Sequence, residues 1–179
     1  KSAKKTYKKK NKKMAEKDKV IAGKIKQKAI FHFKDFYGFT YDWLVGEGYK
    51  VVEKVYSEEI TGDSKKVEIE WEAKKKISDY FRFVIQVKWM ILGLKSVEVQ
   101  REGKKLKMNS GQVELKINGV LVKDYEHRWE DRPIWKFLRG VYDRYIVRSR
   151  IENYEDKLKD EVEEFIAQSK AFLVIEGMR

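Results

Sequence analysis

The stretch from Tyr80 to Leu92 constrains the fold more than any other part of the chain. Phe81, Phe83, Ile85, Val87, Trp89 and Ile91 alternate along one face, while Val84, Met90 and Leu92 add apolar side chains to the other. Alternation is the period of a strand, and a strand apolar on both faces belongs in the middle of a sheet. Extended to Leu94, this is also the most apolar stretch of the chain. Arg82, Gln86 and Lys88 interrupt it, however, and it is too short to cross the roughly 30 Å hydrocarbon core of a bilayer as a helix, so no membrane span is expected.

The neighbours of this strand obey the same rules. Between Lys24 and Phe33, the residues Ile25, Gln27, Ala29, Phe31 and Phe33 alternate with Lys24, Lys26, Lys28, Ile30 and His32, which predicts a first strand. Phe36, Phe39, Thr40, Trp43 and Leu44 then recur at steps of three and four, a short amphipathic helix stopped by Gly46 and Gly48. Val51 to Ile60 resumes the alternation and turns at Gly62-Asp63. The chain returns through Val67, Ile69, Trp71 and Ala73, with Glu68, Glu70 and Glu72 on the wet side. Beyond Leu94, Glu102-Gly103 and Ser110-Gly111 divide the chain into short strands around Val97, Leu106 and Leu115 to Val122.

After Asp131 and Pro133 no strong breaker occurs before Gly177, a potential helix of about 65 Å at 1.5 Å per residue. Its apolar positions do not lie on one stripe. Trp135, Leu138, Val141, Tyr142, Tyr145 and Ile146 share one line, and Ile151, Tyr154, Leu158, Val162, Phe165, Phe172 and Leu173 share another, rotated well away from it. The reading preferred on that basis is a helical segment broken near Ser149 to Asn153. The alternative is an unbroken helix whose distal half packs on a second subunit, giving a homodimer.

Together these elements predict an α+β fold: a curved, mostly antiparallel sheet of about six to seven strands, one short N-terminal helix and a long, broken C-terminal helical segment. The order strand, helix, strands, helix resembles the helix-grip fold of START lipid-transfer domains, Bet v 1-like proteins and the activator domain of the Hsp90 co-chaperone. The resemblance covers Lys24 to about Gly177 at the level of element order. It departs in having room for one helix, not two, between Lys34 and Glu47. It implies a space between sheet and last helix that accepts apolar ligands.

Length and charge set the remaining bounds. A chain of 179 residues fits one domain, and the absence of Cys excludes disulfides, thiolate metal sites and Cys nucleophiles, which suits a cytoplasmic location. The net charge is +12, yet residues 1–30 hold thirteen Lys against Glu16 and Asp18, whereas 28 basic and 27 acidic residues occupy 31–179. Residues 1–19 lack apolar periodicity and read as a disordered lysine-rich arm preceding a single domain over 20–179. No secretory signal or anchor is expected there. Met14-Ala15-Glu16-Lys17 has the look of a translation start.

Constellations that carry chemistry are sparse. His32 and His127 are the only histidines and have no paired-ligand spacing, so neither a metal nor a cofactor is expected. Glu68, Glu70 and Glu72, flanked by Lys66 and Lys74, read as a solvated ion-paired face rather than an acid/base pair. No nucleophile elbow, phosphate loop or dinucleotide fingerprint occurs, so the chain reads as a binding protein more readily than as an enzyme.

Two kinds of partner fit. An apolar small molecule or a partner's hydrophobic segment would contact Phe36, Trp43, Trp71, Phe83, Trp89, Trp135 and Tyr142. Alternatively, RNA or another polyanion, met free or on the ribosome, would contact Lys8, Lys9, Lys10, Lys12 and Lys13 of the arm. Arg139, Arg144, Arg148 and Arg150 would join them from the arginine- and aromatic-bearing segment Arg128 to Arg150. The first reading rests on element order and aromatic load, the second on charge.

Overall fold

The computed structural model describes residues 16–101, 104–125, 140–141 and 148–178. Five strands, β1 Glu16–Phe31, β2 Lys50–Thr61, β3 Ser64–Lys76, β4 Phe81–Arg101 and β5 Lys104–Lys123, form one antiparallel sheet in the order β1-β5-β4-β3-β2. The helices α1 Phe33–Gly46 and α2 Arg148–Met178 pack on one face of it. None of the described helices is long and apolar enough to cross a membrane. The fold is therefore α+β, with β1 and β2 as its two edges.

The β4 stretch read as central lies between β3 and β5, and Phe83, Ile85, Trp89 and Ile91 are fully buried on its inner face. Trp89 sits at the middle of an aromatic layer. Its ring lies 5.2 Å from Phe36, 5.1 Å from Trp71 and 6.2 Å from Tyr37. The Gly62-Asp63 turn joins β2 to β3 as expected, with Thr61 paired to Ser64 and Gly62 supplying the positive φ of 59° that this tight connection needs.

The sheet has five strands rather than six or seven because Ser110-Gly111 is not a turn. Both residues lie inside β5, opposite a register shift in β4 between Leu92 and Lys95 where Gly93 takes φ 65°. A Cβ at Gly111 would stand 3.3 Å from the Leu92 carbonyl oxygen and the Leu94 Cα. Glycine there makes room for a bulge, which bends the sheet without ending the strand. The segments around Val97, Leu106 and Leu115 to Val122 thus belong to two long strands.

β1 also starts earlier than its apolar period suggested. Glu16 to Lys19, assigned to the arm from sequence, pair with Val120 to Lys123 of β5, and a second register shift between Lys19 and Ile21 links them to the regular strand. Backbone pairing, not side-chain burial, holds this part of an edge strand, so hydropathy does not reveal it.

No break falls at Ser149 to Asn153: these residues lie within the helix α2. The stripe read from Ile151 to Leu173 packs on this chain's own sheet. Leu158, Val162, Phe165 and Leu173 are buried, and Ile151, Tyr154 and Phe172 pack at the edge of the same cluster. The stripe thus has its packing partners on this chain's sheet. The upstream stripe from Trp135 to Ile146 falls, except for Val141, outside the described residues.

Candidate nucleic-acid interface

Helices α1 and α2 pack on the inner face of the sheet, and strand register fixes which described residues the other face presents. Across one end runs the row Lys76, Arg82, Val122, Lys17; the next row is Lys74, Val84, Val120, Lys19. Then come Glu72, Gln86, Asn118 and Ala22, followed by Glu70, Lys88, Lys116 and Lys24. The β1 column of this grid, continued through Lys26 and Lys28, carries basic side chains at every position but Ala22. Residues two apart on a strand are about 6.6 Å apart, so these lysines form a cationic stripe of roughly 36 Å.

Ion pairing separates the two sides of this face. On β3 the carboxylates are matched: Glu68 lies 2.9 Å from Lys66, Glu70 2.6 Å from Lys88, and Glu72 2.6 Å from Lys74 and 3.5 Å from Lys54. Hydrogen bonds from these lysines hold the Glu68 and Glu72 carboxyls below the usual carboxylate range, and both stay ionised. Carboxylates in like, paired surroundings do not form an acid/base couple. On β1, Lys24 shares Glu114 with Lys116, at 3.0 and 3.5 Å. Lys17, Lys19, Lys26 and Lys28 are exposed and have no carboxylate partner among the described residues. The face is therefore neutral along β3 and positive along β1.

A groove of about 170 Å³ opens at the first two rows of the grid. It is lined by Val84, Val120 and Val122, by Lys17, Lys74 and Arg82, and by Glu72, Gln86 and Tyr125. The Arg82 guanidinium stacks on the Tyr125 ring at 3.7 Å, and the Tyr125 hydroxyl donates to the Ser78 carbonyl oxygen at 3.0 Å, which fixes the ring. Lys76 and Lys74 are paired with Asp79 and Glu72 at 2.7 and 2.6 Å, whereas Arg82 and Lys17 have no acidic partner among the described residues.

The residues read from sequence separate into two groups. Phe36, Trp71, Phe83 and Trp89 are buried in the aromatic layer on the helix side, and half-buried Trp43 packs on Phe165 at 5.2 Å. These rings touch one another or their neighbours: Phe83 meets Tyr154 at 6.3 Å, and Phe36 also meets Phe172 at 5.4 Å. Trp135 and Tyr142 lie outside the described residues, as do Lys8, Lys9, Lys10, Lys12, Lys13, Arg139 and Arg144. Arg148 and Arg150 are exposed at the start of α2, where Arg148 is 3.2 Å from Glu152. That start belongs to the same end of the sheet as the groove, since Tyr154 packs on Phe81 at 5.1 Å and Lys123 pairs with Asp18 at 2.6 Å.

Sequence reading missed the basic face of β1 and the Arg82–Tyr125 stack. The first had a signal, since Lys24, Lys26 and Lys28 alternate with inward residues; but Lys17 and Lys19 fall out of step across the Val20 bulge and so looked like part of the arm. The second had none, because 43 positions separate its members.

No protein-family model matches the chain, and no curated protein does either.

Proposed function

We propose that this protein is a non-catalytic binding module for single-stranded nucleic acid, which it engages along the lysine-bearing face of its sheet, opposite α1 and α2. The observation that carries this reading is the stripe Lys17, Lys19, Lys24, Lys26 and Lys28, continuous at its first residue with the lysine-rich segment that precedes β1. Four of these cations lack a carboxylate partner among the described residues, so their charge is free for phosphates. Apart from Tyr125, the grid offers no aromatic platform, which favours backbone attraction over reading of sequence. Titrating fluorescein-labelled single-stranded RNA and DNA with the full chain at low and physiological salt tests it. Affinity should be present at low salt, fall steeply with salt, and drop in a variant with Lys17, Lys19, Lys26 and Lys28 changed to Glu. Unchanged affinity in that variant would remove the reading.

The sheet order, with β1 beside β5 and β2 at the far edge, also suits a reduced helix-grip arrangement, whose ligand would lie between sheet and α2. The rings of Phe36, Trp71 and Trp89 already touch in that layer, which leaves the small-molecule version with little support. The version with a partner's hydrophobic segment finds support at β2 instead, where Val52, Val55, Tyr56 and Ile60 are exposed along a sheet edge. A lysate-independent test is strand exchange: loss of hydrogen-exchange protection on β2 in the free chain that returns with an added partner peptide.

A further inference from the structure

We infer that the groove between Arg82 and Lys17 is a nucleotide subsite. In it a base stacks on the Arg82 guanidinium and its phosphate meets Lys17 and Lys19. This rests on the proposed nucleic-acid reading and deepens it, because it gives a lysine surface that any polyanion could occupy a feature that only a nucleotide satisfies.

Three properties of the groove point to that ligand. Its size, about 170 Å³, is well below the several hundred Å³ typical of drug-sized or lipid ligands and well above the share of one water, so it suits a single ring system. Its surfaces are of the right kinds. Val84, Val120 and Val122 supply apolar surface, and Arg82 presents a planar cation oriented by the Tyr125 ring, which lies 3.7 Å from it and also lines the groove. Guanidinium planes stack on nucleobases as they do on aromatic side chains.

Charge supplies the third. Arg82 and Lys17 have no acidic partner among the described residues, and the Gln86 amide, exposed at the groove wall, makes no hydrogen bond to another described residue. An amide offers both donor and acceptor to a base edge. The one carboxylate among the described lining residues, Glu72, is engaged by Lys74 at 2.6 Å and Lys54 at 3.5 Å rather than by Arg82 or Lys17. Lys19 follows Lys17 on the same face of β1, so a strand leaving the groove runs directly onto the lysine stripe.

The test separates base from phosphate and the groove from the stripe. Adenosine monophosphate, uridine monophosphate and inorganic phosphate are titrated separately into the full chain while amide shifts are followed by NMR. Shifts from the two nucleotides should cluster at Val84, Val122 and Tyr125, with inorganic phosphate failing to reproduce them. If phosphate alone gives the same pattern, or if no nucleotide shifts these residues at millimolar concentration, the subsite does not exist.

Arg82→Ala and Arg82→Lys are then compared for single-stranded RNA and for heparin. Both should lower RNA affinity by about tenfold to hundredfold, the usual loss for one stacked base, whereas heparin affinity should be unchanged in Arg82→Lys, which keeps the charge. Arg82→Lys keeps the charge and the fold, so wild-type RNA affinity in that variant would overturn the stacking role. Absence of binding to both polymers by the unmodified chain, with the nucleotide shifts intact, would remove the surface reading while leaving the subsite standing.

Discussion

The Tyr49 hydroxyl donates a 2.6 Å hydrogen bond to Glu161 across 112 positions of sequence, joining the α1–β2 connection to the middle of α2. Lys75 of β3 completes the group, with its ammonium 2.8 Å from the other Glu161 oxygen and 5.1 Å from the centre of the Tyr49 ring. Tyr49 and Glu161 are both buried, so the carboxylate is tolerated because it is paired and hydrogen-bonded on both oxygens. Tyr49→Phe removes one of those bonds and leaves the charge in place. Hydrogen bonds to charged groups contribute about 1.5–3 kcal/mol, which for a domain of this size is a loss of roughly 4–10 °C in Tm by calorimetry.

The same tyrosines set the alkaline limit of stability. Burial first, and the Glu161 carboxylate second, push the Tyr49 hydroxyl far above its ordinary range, and burial with Glu53 pushes Tyr37 up to about 12. Below pH 10 both states hold these protons, so there is no effect. Above pH 10 the unfolded chain releases them and the folded chain does not, so stability falls as pH rises, through about 12 for Tyr37 and beyond for Tyr49. Urea unfolding followed from pH 8 to 11 should show this decline. Tyr49→Phe, weaker at pH 8, should decline less steeply than the parent.

Ser169 offers a change in the opposite direction. Its hydroxyl is completely buried on the inner side of α2 and finds no hydrogen-bond partner among the described residues. A buried hydroxyl without a partner costs desolvation with nothing returned. Ser169→Ala removes it, adds helix propensity and leaves little void, so a gain of about 0.5–1 kcal/mol, or roughly 1–4 °C in Tm, is expected.

How close α2 lies to the sheet is decided at Gly119. A Cβ there would stand 2.8 Å from Ile21 Cγ2, 3.1 Å from Val162 Cγ2 and 3.3 Å from Leu158 Cγ, walls on β1 and α2 that are all in the core. At Gly23 the obstacle is the Cδ1 methyl of Ile166, the free end of a side chain that can rotate. Gly119→Ala should therefore cost about 1–3 kcal/mol as overpacking and Gly23→Ala clearly less. Equal losses in paired denaturation curves would show that the helix shifts as a body instead.

These positions also show what the sequence could and could not reveal. The inner face of β4, the Gly62-Asp63 turn, the α1 stripe through Phe36, Thr40 and Leu44 and the α2 stripe through Leu158, Val162 and Phe165 were legible because each repeats a period of two or of 3.6. Gly111 was misread because a glycine that relieves a bulge looks the same in sequence as one that makes a turn; only the opposing Gly93 distinguishes them, and it lies 18 residues away. The groove was illegible for a related reason. Arg82 and Lys17 come from two strand ends that antiparallel pairing brings to one row across Val122, Tyr125 follows the end of β5 beside them, and no local pattern records that row.

The lysine stripe gives the prediction with the sharpest number. For single strands, log affinity falls with log salt by about 0.7 for each phosphate neutralised, so four or five contacts from β1 give a slope near −3 and a loss on the order of a hundredfold between 50 and 200 mM. Lys26→Ala and Lys28→Ala should each lower the magnitude of that slope by about 0.7. Lys66→Ala is the control, since Lys66 lies on the neutral side of the face and is already held by Glu68 at 2.9 Å. Its slope should match the parent's. A slope that is equally reduced by all three changes would mean that the bound polymer senses net charge alone, and the β1 stripe would then have no special place in binding.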